Sequence, residues 1–235
     1  MVQKVIVSGC KRGDLALVKN FLAHKHAMPA ADDQEALCTA IHYFRNEIAK
    51  YMLETFPEQL YPLRKAFPRK KMAIKFNSYG SPIETAVRAN NREMIDYFLV
   101  HPSYASNVLT AAILNYREEL AMELIDNKDK YNIHMDGDLL VDAIKANNQE
   151  IFARLMKFPE ISLDNAWSYI KSYHYNMDDS WPFMAIFTDP RFVLTEESIQ
   201  FCMNKCKSLE EFNEIMSKKG DFQPSVDILD NAIEK

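Results

Sequence analysis

The feature of the sequence that most constrains the fold is a recurring gap of 13 residues between a small residue and a large apolar one. Five pairs share this gap: Gly9 with Leu22, Ala40 with Leu53, Ala86 with Leu99, Ala112 with Ile125, and Ala143 with Met156. The small members, called anchors below, follow one another at intervals of 31, 46, 26 and 31 residues. Intervals near 30 residues are typical of helical-hairpin repeats, and the interval of 46 indicates an insertion.

Each unit of this pattern predicts two short helices joined by a turn. In the third unit, apolar residues at helical spacing cover 83–87 and again 94–99. Asn90 lies between them, and Gly13 and Asn147 hold the equivalent positions; both residue types tolerate the positive φ of a helix end. A small anchor lets two helices cross closely. The sequence therefore predicts an all-α chain of about five to seven stacked helix-turn-helix units.

Residues 80–86, with the sequence Gly-Ser-Pro-Ile-Glu-Thr-Ala, resemble the ankyrin repeat family, whose pattern runs Gly-x-Thr-Pro-Leu-His-x-Ala. Residues 132–156 are similar to that family's hairpin finger and helix pair, and residues 10–22 to its turn and second helix. The sequence departs from the family at Phe44 and Tyr116, where Gly is expected at the turn. The resemblance implies an ankyrin-like solenoid, with repeats and a basic insertion over 1–160 and degenerate repeats with capping helices over 161–235, continuous with the same solenoid.

The resemblance also implies where a partner would bind, because ankyrin-like stacks bind partners on a concave face beside the turns. We call the corresponding residues the predicted stripe: Lys11, Arg12, His42, Tyr43, Arg88, Asn115 and Lys145, with Ala89, Leu114 and Ala146 between them. Bases and aromatics dominate this set, which favours a partner protein with an acidic segment. The alternative is that these charges only keep the surface soluble.

The insertion at 57–79 concentrates positive charge in a chain whose net charge is −5. Its bases are Arg64, Lys65, Arg69, Lys70, Lys71 and Lys75, against the single acid Glu58. This charge indicates a docking patch for phosphates, anionic lipid or an acidic peptide, and a solvated loop without a binding role is the alternative. No nucleic-acid-binding module is recognisable in it, so we favour a protein partner over nucleic acid. Binding of anionic lipid or nucleic acid through the insertion is a further alternative function.

Catalytic and cofactor signatures are weak throughout the sequence. Only five glycines occur, and neither the dinucleotide-binding nor the P-loop pattern is present, so we expect no nucleotide cofactor. Cys202 and Cys206 could hold a metal with His174, but zinc sites normally have a second matching pair, and we predict no metal.

An enzyme remains the alternative to a non-enzymatic interaction module. Its site would lie in the C-terminal third, between Trp167 and Asp189, where Asp178 and Asp179 could act as paired carboxylates. A polar turn explains the two acids equally well.

The remaining expectations concern the compartment. Four cysteines are too few for a disulfide framework, no run of about 18 apolar residues spans a bilayer, and the N-terminal residues do not form a convincing signal peptide. We therefore expect a cytoplasmic monomer. Residues 210–214 resemble the E-block of substrates of a bacterial type IV secretion system, which implies an effector delivered into a host cytosol; a Glu-rich helix is the alternative reading.

Overall fold

The computed structural model describes residues 2–23, 31–56, 80–172, 181–205, 212–213 and 216–217. All regular secondary structure within these ranges is helical, and no strand occurs there, so the predicted all-α class is confirmed. The chain divides into two compact units, Met1–His134 and Met135–Lys235. The predicted boundary at residue 160 separates the clearer repeats from the degenerate ones, and it stays a prediction.

The helices of each unit are short. The first unit contains α1 Val2–Arg12, α2 Leu15–Leu22, α3 Ala31–His42, α4 Asn46–Thr55, α5 Pro82–Ala89, α6 Arg92–Val100, α7 Pro102–Leu114, α8 Glu118–Asp126 and α9 Lys128–Tyr131. The second unit contains α10 Gly137–Lys145, α11 Gln149–Leu155, α12 Asp164–Ser172, α13 Trp181–Thr188 and α14 Glu196–Lys205.

Neighbouring helices pack as pairs. In the first unit the pairs are α1 with α2, α3 with α4, α5 with α6, and α7 with α8, and we number them 1 to 4. The first helix of each pair also packs on the first helix of the next, so that α1, α3, α5 and α7 form a continuous layer. In the second unit, α10 and α11 form pair 5, and α10 also packs on α12.

Within each pair the anchor lies where the two helices cross. All five anchors, Gly9, Ala40, Ala86, Ala112 and Ala143, are buried. A Cβ atom added to Gly9 would lie 2.9 Å from Cγ2 of Val18 on α2, closer than two carbon atoms normally approach. The small side chain is therefore a packing requirement, as the spacing predicts.

The turn has the same geometry in all five pairs. The residue four positions after the anchor has a positive φ: 82° at Gly13, 56° at Phe44, 54° at Asn90, 58° at Tyr116 and 50° at Asn147. The next residue donates its backbone N–H to the anchor carbonyl, over 2.8 to 3.0 Å. This is the hydrogen bond of a Schellman helix end, which satisfies a carbonyl that the helix leaves free. The predicted turn positions are confirmed, including the two aromatic ones.

The segment that resembles the ankyrin pattern begins a helix in the way its residues predict. Ser81 caps α5 by accepting the N–H of Glu84 over 3.1 Å, and the Glu84 carboxylate accepts the N–H of Ser81 over 2.9 Å. Pro82 occupies the first helical turn, where its missing N–H costs nothing. The segment predicted as a hairpin finger, 132–137, contains no strand; Asp136 within it caps α10.

Polar and charged side chains link consecutive second helices. Arg92 on α6 makes a forked ion pair with Glu123 on α8, with Nη–Oε distances of 2.6 and 2.8 Å. Lys50 and Asn46 of α4 donate to Glu93 of α6 over 2.8 and 2.6 Å. These partners hold the pKa values of the Glu93 and Glu123 carboxyls below their usual range.

Candidate functional site

The four turns of the first unit form one connected surface, which we call the turn row and define as residues 11–14, 42–45, 88–91 and 114–117. Because the first helices pack in sequence, their C-terminal ends lie side by side and bring these turns together. The row carries five exposed cations, Lys11, Arg12, Arg45, Arg88 and Arg117, and a single acid, Asp14. The Asp14 carboxylate accepts the N–H of Leu17 over 2.9 Å and caps α2.

Hydrogen bonds run from one turn of the row to the next. Arg45 donates from Nε to the Lys11 carbonyl over 3.5 Å, and Arg117 donates from Nη2 to the Arg88 carbonyl. Both acceptors lie near the C-terminal end of a first helix, in α1 and α5, where carbonyls lack helical partners and a cation is favoured. Pairs 2 and 4 therefore use the same residue type, at the same turn position, to contact the preceding turn.

Asn91 makes the corresponding link between pairs 2 and 3. Its Nδ2 donates to the Ile41 carbonyl over 2.9 Å and to Oδ1 of Asn46 over 2.7 Å, while its Oδ1 accepts the N–H of Met94 over 3.3 Å. The residue is 1% exposed. One side chain thus caps α6 and joins two turns, and the row is continuous across four pairs.

The structure brings the first-unit residues of the predicted stripe together in this row. Lys11 lies over the Tyr43 ring at 5.3 Å from its centroid, and the rings of His42 and Tyr43 meet edge to face at 5.0 Å. Arg12, His42 and Arg88 are exposed. Asn115 is half-buried and donates from Nδ2 to the Ala111 carbonyl over 2.8 Å, so this side chain caps its own helix end.

Lys145 lies in the second unit. Its Nζ is 3.4 Å from Oδ1 of the buried Asp142 and 5.3 Å from the centroid of the Tyr169 ring. These contacts satisfy the ammonium group within that unit.

Two exposed aromatic residues of the turn row were not assigned to the stripe from the sequence. Phe44 is 55% exposed and Tyr116 is 73% exposed, and both occupy the positive-φ position of their turns. A bulky side chain in this left-handed conformation costs about 1–2 kcal/mol. Gly13 and Asn90 occupy the same position without that cost. The sequence did contain an indication of these two residues, because an aromatic residue stands at each turn position where the repeat pattern expects Gly.

The second unit contains an open groove of about 580 Å³, whose lining includes Trp167, Lys171, Arg191, Val193 and Glu197. Its charged groups are engaged in structural contacts: Lys171 pairs with Glu197 over 2.8 Å, and Arg191 pairs with Asp189 over 2.9 Å. Arg191 also donates to the carbonyls of Met156 and Phe158, both over 2.8 Å, just after α11 ends. The sequence analysis did not assign this role to Arg191.

The enzyme alternative lies partly outside the described residues, because His174, Asp178 and Asp179 are not among them. The whole basic insertion and Cys206 lie outside them as well, and of residues 210–214 only Phe212 and Asn213 are described.

The described cysteines are buried thiols. None of Cys10, Cys38 and Cys202 is in a disulfide. Burial raises the pKa of Cys10 to about 12 and that of Cys38 to about 11, although a hydrogen bond with Thr85 opposes the shift at Cys38. A thiol must lose its proton to act as a nucleophile, so their burial and raised pKa values disfavour a nucleophilic role for these two side chains at neutral pH.

Two further features are absent from the described part of the chain. No group of three or more His, Cys, Asp or Glu side chains there is arranged to hold a metal ion. No helix there has both the length and the apolar character needed to cross a bilayer.

Comparison with protein families, with curated proteins and with solved structures returns no match. The ankyrin resemblance therefore depends on the residues and geometry described above.

Proposed function

We propose that this chain is a protein-protein interaction module, an ankyrin-like solenoid that binds a partner protein through its concave face at the ends of its first helices. The repeated architecture is supported by the five equivalent turns, each with a buried anchor, a positive-φ residue four positions later and the same closing hydrogen bond. The packed layer of α1, α3, α5 and α7 gives the regular spacing that a solenoid requires.

The main support for a binding function is the positive charge of the turn row. Five exposed cations and one acid lie there, in a chain whose net charge is −5. Exposed cations pair with carboxylates, so the row is complementary to an acidic segment of a partner. We further propose that the protein is a monomer in a cytosol, and the buried thiols of Cys10 and Cys38 support a reducing compartment.

The test is affinity capture with charge-reversed variants. Lys11→Glu combined with Arg88→Glu reverses two cations of the turn row. Lys4→Glu combined with Lys130→Glu produces the same change in net charge at two exposed positions outside the row. We expect the row variant to lose the captured partner and the control variant to keep it.

The interaction should also weaken steeply with ionic strength, because exposed charges attract only over about 8–10 Å in physiological salt. If both double variants capture the same proteins as the wild-type chain does, the row is not the binding surface. If capture is lost only when Lys70 and Lys71 are neutralised, the basic insertion binds the partner instead.

A further inference from the structure

The two aromatic turn residues, Phe44 and Tyr116, occupy positions whose positive φ favours Gly or Asn. Phe44 and Tyr116 have φ values of 56° and 58°, and both side chains are mostly exposed. Exposure means that packing inside the protein compensates only partly for their backbone strain. A strained residue whose strain is not compensated by packing within the protein is expected to have a function, such as contact with a binding partner.

Both aromatics border the cations of the row. Phe44 precedes Arg45, Tyr116 precedes Arg117, and the Arg117 guanidinium reaches the Arg88 carbonyl in the turn between the two. The row therefore presents an apolar group, a basic region and a second apolar group in order along its length. The acidic residues Glu47, Glu118 and Glu119 begin the second helices beside it and repel an anionic chain from that side.

The spacing of the helices sets the distance between the two aromatics. They follow α3 and α7, which are separated by α5 in the packed layer. Packed helices lie about 8–10 Å apart, so the two aromatics are about 16–20 Å apart along the row. An extended peptide rises about 3.3 Å per residue and covers that distance in about five or six residues.

We propose that Phe44 and Tyr116 are anchor-binding residues for an extended peptide segment of the partner. The segment carries two apolar side chains about five or six residues apart, with Asp or Glu between them. The apolar side chains pack on the two aromatic rings, and the acids pair with Arg117 and the neighbouring cations. This inference rests on the proposed function and goes beyond it by stating the sequence pattern of the ligand.

The probe is a phage-displayed library of random linear peptides, selected against the full chain. The enriched peptides are expected to share the pattern of two apolar residues with acids between them. One enriched peptide is then synthesised, and its dissociation constant is measured with the wild-type chain and with variants. Phe44→Asn and Tyr116→Asn should each raise the dissociation constant at least tenfold, as removal of an aromatic interface anchor does.

Control variants separate this result from damage to the fold. Phe44→Gly is a second substitution that the turn accepts, as Gly13 shows, and it should weaken binding as Phe44→Asn does. Val100→Asn removes a side chain that is 79% exposed, at the far end of α6 from the turn, and should leave the dissociation constant unchanged.

The outcomes distinguish the inference from the proposed function. If Arg88→Glu weakens binding while Phe44→Asn and Tyr116→Asn do not, the aromatic anchors are refuted and the proposed function stands. If no family of acidic peptides is enriched, or if none of the row variants changes affinity, both fail.

Discussion

Replacing Asn91 by Ala should destabilise the chain by more than the loss of a helix cap. The loss of the cap on α6 costs about 1 kcal/mol. The substitution also removes the hydrogen bonds to the Ile41 carbonyl and to Oδ1 of Asn46, at a site where the residue is 1% exposed. After the substitution the Ile41 carbonyl still accepts the N–H of Phe44, so it is not left without a partner. We therefore assign to each of the two lost hydrogen bonds about 1 kcal/mol, the lower end of the cost of an unsatisfied buried polar group. The expected total is about 3 kcal/mol.

Two matched variants isolate the contribution between the pairs. Asn148 caps α11 by accepting the N–H of Ile151 over 2.9 Å, and Asp14 caps α2 in the same way within the first unit. Asn148→Ala and Asp14→Ala should each cost about 1 kcal/mol. A third variant, Asn91→Asp, keeps an oxygen for the cap but loses both donated hydrogen bonds, so it should be destabilised by at least about 2 kcal/mol. Its new carboxylate oxygen would also face the Ile41 carbonyl and Oδ1 of Asn46, which are both acceptors.

The assay is urea unfolding followed by helical circular dichroism, with the free energy of unfolding extrapolated to water. The account expects Asn91→Ala to exceed both capping controls by about 2 kcal/mol. If Asn91→Ala, Asn148→Ala and Asp14→Ala agree within about 0.5 kcal/mol, the hydrogen bonds between turns contribute nothing and the coupling of pairs 2 and 3 is wrong.

Three further predictions follow from the packing. The carboxyl pKa values of Glu93 and Glu123 lie below the ordinary value of 4.5, so their ion pairs stabilise the fold above pH 4.5, and this stability is lost as the pH falls through the lower folded pKa values. Glu93→Gln combined with Glu123→Gln should therefore lose less stability over that acid range. A urea midpoint with the same pH dependence as that of the wild-type chain would contradict this. Cys10 and Cys38 should react with a thiol reagent at neutral pH only when urea unfolds the chain, and rapid labelling of the native protein would show that they are not buried. Gly13→Ala should destabilise by about 1–2 kcal/mol, because φ is +82° and the new Cβ would lie 3.1 Å from Cδ of Arg45; an unchanged thermal midpoint would contradict the left-handed turn.

The parts of the fold that the sequence predicted are those set by short-range physics. A buried small residue, a turn four residues later and a second apolar stripe all lie within one helix pair, so their spacing is visible along the chain. Phe44 and Tyr116 had the least favourable residue types for the turn. Their place in the repeat nevertheless predicted that they lie at turns, because the anchors Ala40 and Ala112 have the same spacing as the others, and both residues have the positive φ of the other turns.

The links between pairs could not be predicted in the same way. Arg45, Asn91 and Arg117 each contact a carbonyl of the preceding pair, and those acceptors are 34, 50 and 29 residues away along the chain. Which backbone groups come within reach depends on how the first helices pack, and no local pattern states that. The sequence likewise grouped Lys145 with the stripe by register alone, whereas its contacts with Asp142 and Tyr169 are internal to the second unit.

The most direct test of the proposed binding surface is a titration of the isotopically labelled chain with a selected acidic peptide, followed by backbone amide shifts in nuclear magnetic resonance spectra. The account predicts that the largest shift changes fall in the turn row, at residues 11–14, 42–45, 88–91 and 114–117. Changes confined to the second helices, to the groove beside Trp167 or to the insertion at 57–79 would contradict it.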